Sequence, residues 1–197
     1  MKGLLKKDLL VLTKQLLIFM LIIPILSLSG NVMMVVAVAF GAMLPMTAVA
    51  YDDQSKWNEL AVMFPYSKMD LVFSKYLLGY VCMLGTGTLA VVGQGILYAL
   101  GKGDMDGAWT MLWGGLVCGL LFIAINNPVI FKFGAEKGRY VYIAAMALVG
   151  ASVPFLKEMN INFRPDQMHL SKGLILGLVV VLNMISVLIS IRIKEKE

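Results

Sequence analysis

The residues of this chain that carry binding chemistry gather in one polar segment, residues 52–70, between long apolar runs. Trp57, Leu60 and Phe64 recur at helical spacing, so they predict one apolar face of a short helix that Pro65 ends. Large apolar and aromatic side chains on a polar loop are suited to recognition of another protein. The segment is therefore predicted to be a docking element at a membrane surface.

The ends of this element have recognisable signals. Asp53 or Ser55 is expected to cap the start of the short helix, because a short side-chain oxygen accepts from free backbone N–H groups. Ser67, with Asp70 three residues later, forms a capping-box pattern that opens the next helix. The charges expected at the rim of a docking contact, where they would set its register, are Lys56, Glu59 and Lys68.

Catalytic chemistry has little support in the sequence. There is no GxxxxGK[ST] phosphate loop, no HExxH pair, and no serine–histidine or serine–lysine constellation in the apolar runs. Cys82 and Cys118 lack CxxC spacing, and the single histidine, His169, lies in a loop. We therefore predict no catalytic residue, no cofactor, no metal site and no nucleic-acid partner.

The elements that must position the segment are membrane helices. The chain is 59% hydrophobic, with a mean hydropathy of +0.83. A membrane-spanning helix needs about 20 mostly apolar residues. This predicts an all-α membrane protein, a single domain over residues 1–197, with six transmembrane helices at 16–29, 32–51, 71–100, 108–131, 140–155 and 173–191.

Basic residues predict the orientation. Of the 17 lysine and arginine residues, all but Lys102, Lys157, Arg164 and Lys172 fall on one side of these spans. Because basic loops stay in the cytoplasm, both termini and residues 52–70 are expected there. Residues 1–15 are predicted to form a basic amphipathic helix in the interface of the lipid bilayer. Its leucine stripe consists of Leu5, Leu9, Leu12 and Leu16.

Polar residues within the spans have two interpretations. Gln94, Asn126 and Asn127 either line a translocation path or make hydrogen bonds between helices. No charged residue is expected well inside a span, which disfavours an ion-coupled transporter. Gly115 and Gly119 form a GxxxG pair, a weak indication of where two subunits meet.

Three stretches together resemble the permease subunits of ABC type-2 transporters, in the small six-helix branch similar to phenol-soluble modulin and lantibiotic-type exporters. They are the basic N-terminal Met-Lys-Gly-Leu-Leu-Lys-Lys-Asp-Leu, the segment from Lys56-Trp57 to Ser74-Lys75-Tyr76, and the turn from Lys132 to Arg139. Phe64 departs from the leucine that usually precedes the proline in this family. The docking face stays apolar despite this departure.

The resemblance implies a bacterial cell-membrane permease that works with a separate ABC ATPase subunit and a second permease subunit, identical or paralogous. Residues 52–70 would be the cytoplasmic coupling loop, with its helix in a groove of the ATPase, and the cargo would be peptides, antibiotics or other amphipathic molecules for export. An alternative interpretation is a non-transporting immunity or sensor subunit that binds a peptide at the outer face.

Overall fold

The computed structural model describes residues 2–28, 31–57, 60, 63, 67–101, 103, 105–158 and 168–196. These residues form a helical bundle. Its helices are α1 (Lys2–Val11), α2 (Thr13–Leu28), α3 (Asn31–Gln54), α4 (Lys68–Ala99), α5 (Met105–Glu158) and α6 (Met168–Lys196). The all-α prediction is confirmed for this part of the chain.

Four helical stretches are long and apolar enough to cross a membrane: Val35–Gln54, Lys68–Ala99, Met105–Gly134 and Gly173–Glu195. The bent pair of α1 and α2 makes a fifth if it counts as one span. The span predicted at 140–155 lies in the second half of α5 and is not among these candidates. The chain is thus a multi-pass membrane protein, and a total of six spans stays a prediction.

A backbone break divides α5. Gly134 has φ 82° and ψ 169°, a conformation that only glycine adopts without steric cost. Pro128 lies within the helical stretch before this break, which comes six residues later. The turn belongs to the glycine of Lys132-Phe133-Gly134.

The N-terminal leucine stripe packs against neighbouring helices of the bundle. The α1 and α2 axes meet at 63°, with Leu12 at the bend, and Leu12 is fully buried. It packs with Leu44 of α3 and Leu78 of α4, and the other three leucines of the stripe border the same cluster. Contact with α3 and α4 therefore holds α1 against the bundle.

Glycines allow the helices to approach closely. A Cβ added at Gly93 of α4 would lie 3.0 Å from the Pro24 carbonyl oxygen of α2 and would overlap the Ser27 hydroxyl. Gly115 and Gly119 are packed against Val38 and Met83, respectively, in the same chain. The GxxxG pair therefore serves contacts within one subunit.

Replacing Gly93 by alanine should lower the stability of the α2–α4 contact, because the added methyl group meets backbone atoms that cannot move away. We expect a loss of about 1–3 kcal/mol, the usual cost of overpacking. Gly95→Ala is the matched control, since nothing lies within 4 Å of its added Cβ. Thermal unfolding in detergent tests the pair, and equal midpoints for the two variants would contradict this packing.

Candidate functional site at the basal end of the bundle

A buried cluster of four charged side chains joins α1, α3 and α4. The Lys75 ammonium of α4 donates to Asp8 Oδ2 of α1 at 2.8 Å and to Asp52 Oδ2 of α3 at 2.6 Å. Lys7 of α1 lies 2.5 Å from Asp52 Oδ1 and 3.1 Å from Asp8 Oδ1. We call these four residues the ion cluster, and the end of the bundle where they meet the basal end.

The ion cluster is balanced in charge, and three of its four members are almost closed to solvent, whereas the Lys7 side chain is 24% exposed. Asp8 is 1% exposed, and Asp52 and Lys75 are each 6% exposed. A buried charge is costly unless it is paired and hydrogen-bonded, and here two carboxylates face two ammonium groups. Removing one member would leave a buried charge without compensation, so the cluster ties the three helices together.

Sequence analysis missed this cluster. Asp52 is two residues from the end of α3, and Lys75 is in the second turn of α4, where hydropathy averaging assigns charges to loops. These charges lie at helix ends rather than well inside a span, and the sequence did not indicate that these ends are buried. A signal was present, however, because Lys7-Asp8 and Ser74-Lys75-Tyr76 lie in stretches that carry the family resemblance.

The segment between α3 and α4 starts with a turn. Asp53 lies inside α3, and its expected role as the cap of the next helix stays a prediction. Ser55 forms a turn, and its hydroxyl donates to the Asp52 carbonyl oxygen at 3.3 Å. Lys56 has φ 53°, the left-handed conformation that reverses a chain after a helix. We call residues 55–67 the basal segment.

The predicted docking residues have different surroundings. Trp57 is half-buried, and the Lys7 ammonium lies 4.3 Å from its ring centroid, which is cation–π geometry. Leu60 is 46% exposed, and Met63, which the sequence analysis did not single out, is 82% exposed. Trp57 thus faces the ion cluster, whereas Leu60 and Met63 face outward. Phe64 and Glu59 lie outside the described residues.

The start of α4 is also stabilised by its own capping residues and by a contact with α6. The predicted capping box is confirmed: Asp70 N donates to Ser67 Oγ at 3.1 Å, and Ser67 N donates to Asp70 Oδ2 at 3.4 Å. Lys56 and Lys68 are exposed, as rim charges should be. Lys68 also donates to the Glu195 carbonyl oxygen of α6 at 3.5 Å.

A line of hydrogen bonds that sequence analysis did not recognise connects α4 to α6. The Tyr76 hydroxyl lies 2.6 Å from Ser186 Oγ and 2.9 Å from Ser190 Oγ. One turn further, Tyr80 donates to Asn183 Oδ1 at 3.0 Å. Lys75 and Tyr76 therefore anchor the first turns of α4 to opposite neighbours, the ion cluster and α6.

A cavity of about 170 Å³ lies between Trp57 and residues of α3, α4 and α5. Trp57 lines it from the segment, Asp52 and Lys75 from the ion cluster, and Lys132 from α5. Charged groups of both signs therefore border this cavity. Movement of Trp57 would change the surroundings of the ion cluster.

The predicted path-lining residues are all buried inside the subunit. Gln94 donates to the Ser27 carbonyl oxygen and so joins α4 to α2. Asn126 has its amide nitrogen 3.9 Å from the sulfur of Met46. Among the described residues, Asn126 Oδ1 and Asn127 Nδ2 have no hydrogen-bond partner. A role for these three residues in a path stays a prediction.

Comparison with known protein families gives a match over nearly the whole chain. A family model described as "ABC-2 family transporter protein" matches residues 3–195, nearly the whole chain. No curated protein and no solved structure is significantly similar to it. The match includes the ion cluster, the basal segment and all of the candidate spans.

Proposed function

This chain belongs to the ABC-2 family of transporter proteins, and we propose that it is an exporter permease that a separate ATPase drives through the basal segment. Membership of the family makes the chain a membrane permease that associates with an ABC ATPase subunit. The site of that association, the direction of transport and the cargo are our proposals. The cargo class, peptides, antibiotics or other amphipathic molecules, follows the resemblance to small exporter permeases.

The observation that carries the coupling proposal is the connection between the basal segment and three helices. Leu60 and Met63 present apolar surface outward, where a partner groove can take it up. On the inner side, Trp57 contacts Lys7, and Lys7 belongs to the ion cluster. A movement of the basal segment is therefore transmitted from Trp57 to Lys7, and from the ion cluster to α1, α3 and α4.

The mechanism follows from these contacts. ATP binding closes the ATPase subunits and moves the basal segment as one body. The ion cluster resists separation of α1, α3 and α4, because parting them exposes unpaired charges to an apolar interior. The hydrogen bonds of Tyr76 and Tyr80 carry the same movement to α6. Such a rigid-body transition lets a ligand bound elsewhere switch the access of a path.

The basal end has the composition of a cytoplasmic face. Lys6, Lys56, Lys68 and Arg192 are exposed there, together with the Lys132 side chain of α5. Basic residues of this kind are retained in the cytoplasm, where an ATPase is available. Two permease subunits, identical or paralogous, with two ATPase subunits complete the proposed assembly.

Leu60→Glu should release the ATPase from the permease, because a carboxylate cannot be buried in an apolar groove without a partner. Loss of a central apolar anchor commonly costs 2 kcal/mol or more, so we expect at least ~30-fold weaker association. The measurement is the amount of ATPase retained on the tagged chain after extraction in a mild detergent. Leu60→Met is the matched control and should retain it.

The parent chain must itself retain an ATPase in this experiment. A parent chain that elutes alone from several mild detergents contradicts the proposal and favours the immunity or sensor alternative. Equal retention by Leu60→Glu and Leu60→Met would show that the ATPase docks elsewhere.

A further inference from the structure

A series of hydrogen bonds crosses the bundle from α4 through α6 to the backbone of α5. Ser186 Oγ of α6 donates to the Ala124 carbonyl oxygen of α5 at 2.5 Å. A serine hydroxyl has one proton, so Ser186 accepts from Tyr76, whose hydroxyl oxygen lies 2.6 Å away. Tyr76 in turn accepts from Ser190 at 2.9 Å. All of these side chains are buried, and the protons point from α6 and α4 toward the α5 carbonyl.

A proline explains why this carbonyl takes a bond from another helix. In an α-helix the carbonyl of residue 124 accepts from the N–H of residue 128, but Pro128 has no N–H. The Ala124 carbonyl therefore has no partner within α5, although Ala124 is buried. In membrane helices, serine side chains of neighbouring helices can satisfy a carbonyl that a proline frees. Ser186 supplies this bond.

A second contact, one turn away, lacks this feature and so provides an internal comparison. Tyr80 donates to Asn183 Oδ1 at 3.0 Å, and Asn183 Nδ2 donates to the Leu120 carbonyl oxygen at 3.2 Å. Residue 124 is alanine and has an N–H, so the Leu120 carbonyl keeps its regular acceptor role within α5. Of the two contacts, the one through Ser186 ends on a carbonyl that depends on α6.

The same turn of α5 holds two further polar groups that are not satisfied. Asn126 and Asn127 are 4% and 3% exposed, and among the described residues Asn126 Oδ1 and Asn127 Nδ2 have no hydrogen-bond partner. Buried polar atoms without partners destabilise the conformation that contains them. The missing backbone bond at Pro128 weakens the helix at the same place. Residues 124–128 are therefore a weak turn that a hydroxyl of α6 supports.

We propose that residues 124–128 are a hinge in α5 and that Ser186 is the latch that holds this hinge in the conformation described here. Tyr76 acts on the latch, because its hydroxyl occupies the acceptor side of Ser186 and leaves the serine proton for the carbonyl. Lys75, the residue before Tyr76, belongs to the ion cluster. Movement of the first turns of α4 would therefore release α5. This link to α4 movement rests on the proposed function, whereas the hinge and its latch do not.

The latch is tested by a double-mutant cycle on the full chain in detergent. Ser186→Ala leaves the Ala124 carbonyl without a partner, so we expect the thermal midpoint to fall by ~2–4 °C. Pro128→Ala restores the missing N–H, so in that background Ser186→Ala should lower the midpoint by less than half as much. The loss of the Tyr76 contact is common to both backgrounds and cancels. Equal losses in the two backgrounds would overturn the latch.

The hinge is tested by amide hydrogen exchange of the same purified chain. Ser186→Ala should accelerate exchange in residues 124–133 by ~5-fold and leave residues 108–118 of α5 unchanged, because opening is local to the hinge. Unchanged exchange in residues 124–133 would overturn the hinge.

The role of Tyr76 is tested by a matched pair of variants in the same exchange measurement. Tyr76→Phe should accelerate exchange in residues 124–133, because Ser186 is then free to donate to a carbonyl of its own helix. Tyr80→Phe removes a hydroxyl that does not reach the freed carbonyl, so it should leave this exchange unchanged. Equal effects of the two variants would overturn the role of Tyr76. No ATPase is present, so these tests and the coupling test fail independently.

Discussion

Lys75→Met should destabilise the permease by ~3–5 kcal/mol, the usual cost of removing one partner from a buried ion pair. Methionine fills a similar volume but leaves the Asp8 and Asp52 carboxylates buried with only Lys7 between them. We expect a large fall in the thermal midpoint in detergent and a lower abundance in the membrane. Both are measured directly on the tagged chain.

A second substitution tests whether Lys75→Met loses stability through the unbalanced charge or through the changed shape of the side chain. Asp8→Asn in the Lys75→Met background leaves Lys7 paired with Asp52 and restores neutrality. Because neutral replacements of buried ion pairs are often tolerated, this double variant should regain most of the lost stability. A Lys75→Met chain as stable as the parent, or a double variant no better than the single one, would contradict the structural role of the ion cluster.

Trp57→Ala should uncouple the permease from the ATPase while leaving the bundle folded. The ring links the basal segment to Lys7 through a cation–π contact, and such contacts contribute about 2 kcal/mol where water is excluded. We expect permease-stimulated ATP hydrolysis and transport to fall at least ~30-fold at unchanged membrane abundance. The measurement is ATP hydrolysis by the complex reconstituted in vesicles.

Trp57→Phe is the control for this prediction, because phenylalanine retains an aromatic face for the Lys7 ammonium. It should preserve most of the coupled hydrolysis. If Trp57→Ala hydrolyses ATP and transports like the parent, the link through Trp57 is wrong. If Trp57→Ala instead unfolds with the loss seen for Lys75→Met, the ring has a structural role.

Much of the helical framework could be predicted from the sequence because apolar length and capping chemistry are local signals. The capping box at Ser67 and Asp70 and the start of α4 follow directly from residue types. The turn between Lys132 and Arg139 also follows from residue type, because Gly134 provides the positive φ that the break requires.

The ion cluster could not be predicted in this way, because its members are far apart in sequence and lie on three helices. Asp8, Asp52 and Lys75 each resemble a residue of a polar helix end. Only the packing of the leucine stripe against α3 and α4 brings Asp8 to Lys75. Similarly, Leu60 and Trp57 belong to one predicted apolar face, yet Trp57 is half-buried beside Lys7 whereas Leu60 is 46% exposed.

The most direct test of the central claim is a crosslinking measurement at Met63, the most exposed apolar side chain of the basal segment among the described residues. Met63→Cys is joined to nearby proteins in native membranes with a short bifunctional thiol reagent, and the product is identified by mass spectrometry. Leu174→Cys, 74% exposed near the other end of α6, is the control. The account predicts an ABC ATPase joined to Met63→Cys and not to Leu174→Cys. An ATPase joined to neither variant, or equally to both, would contradict docking through the basal segment.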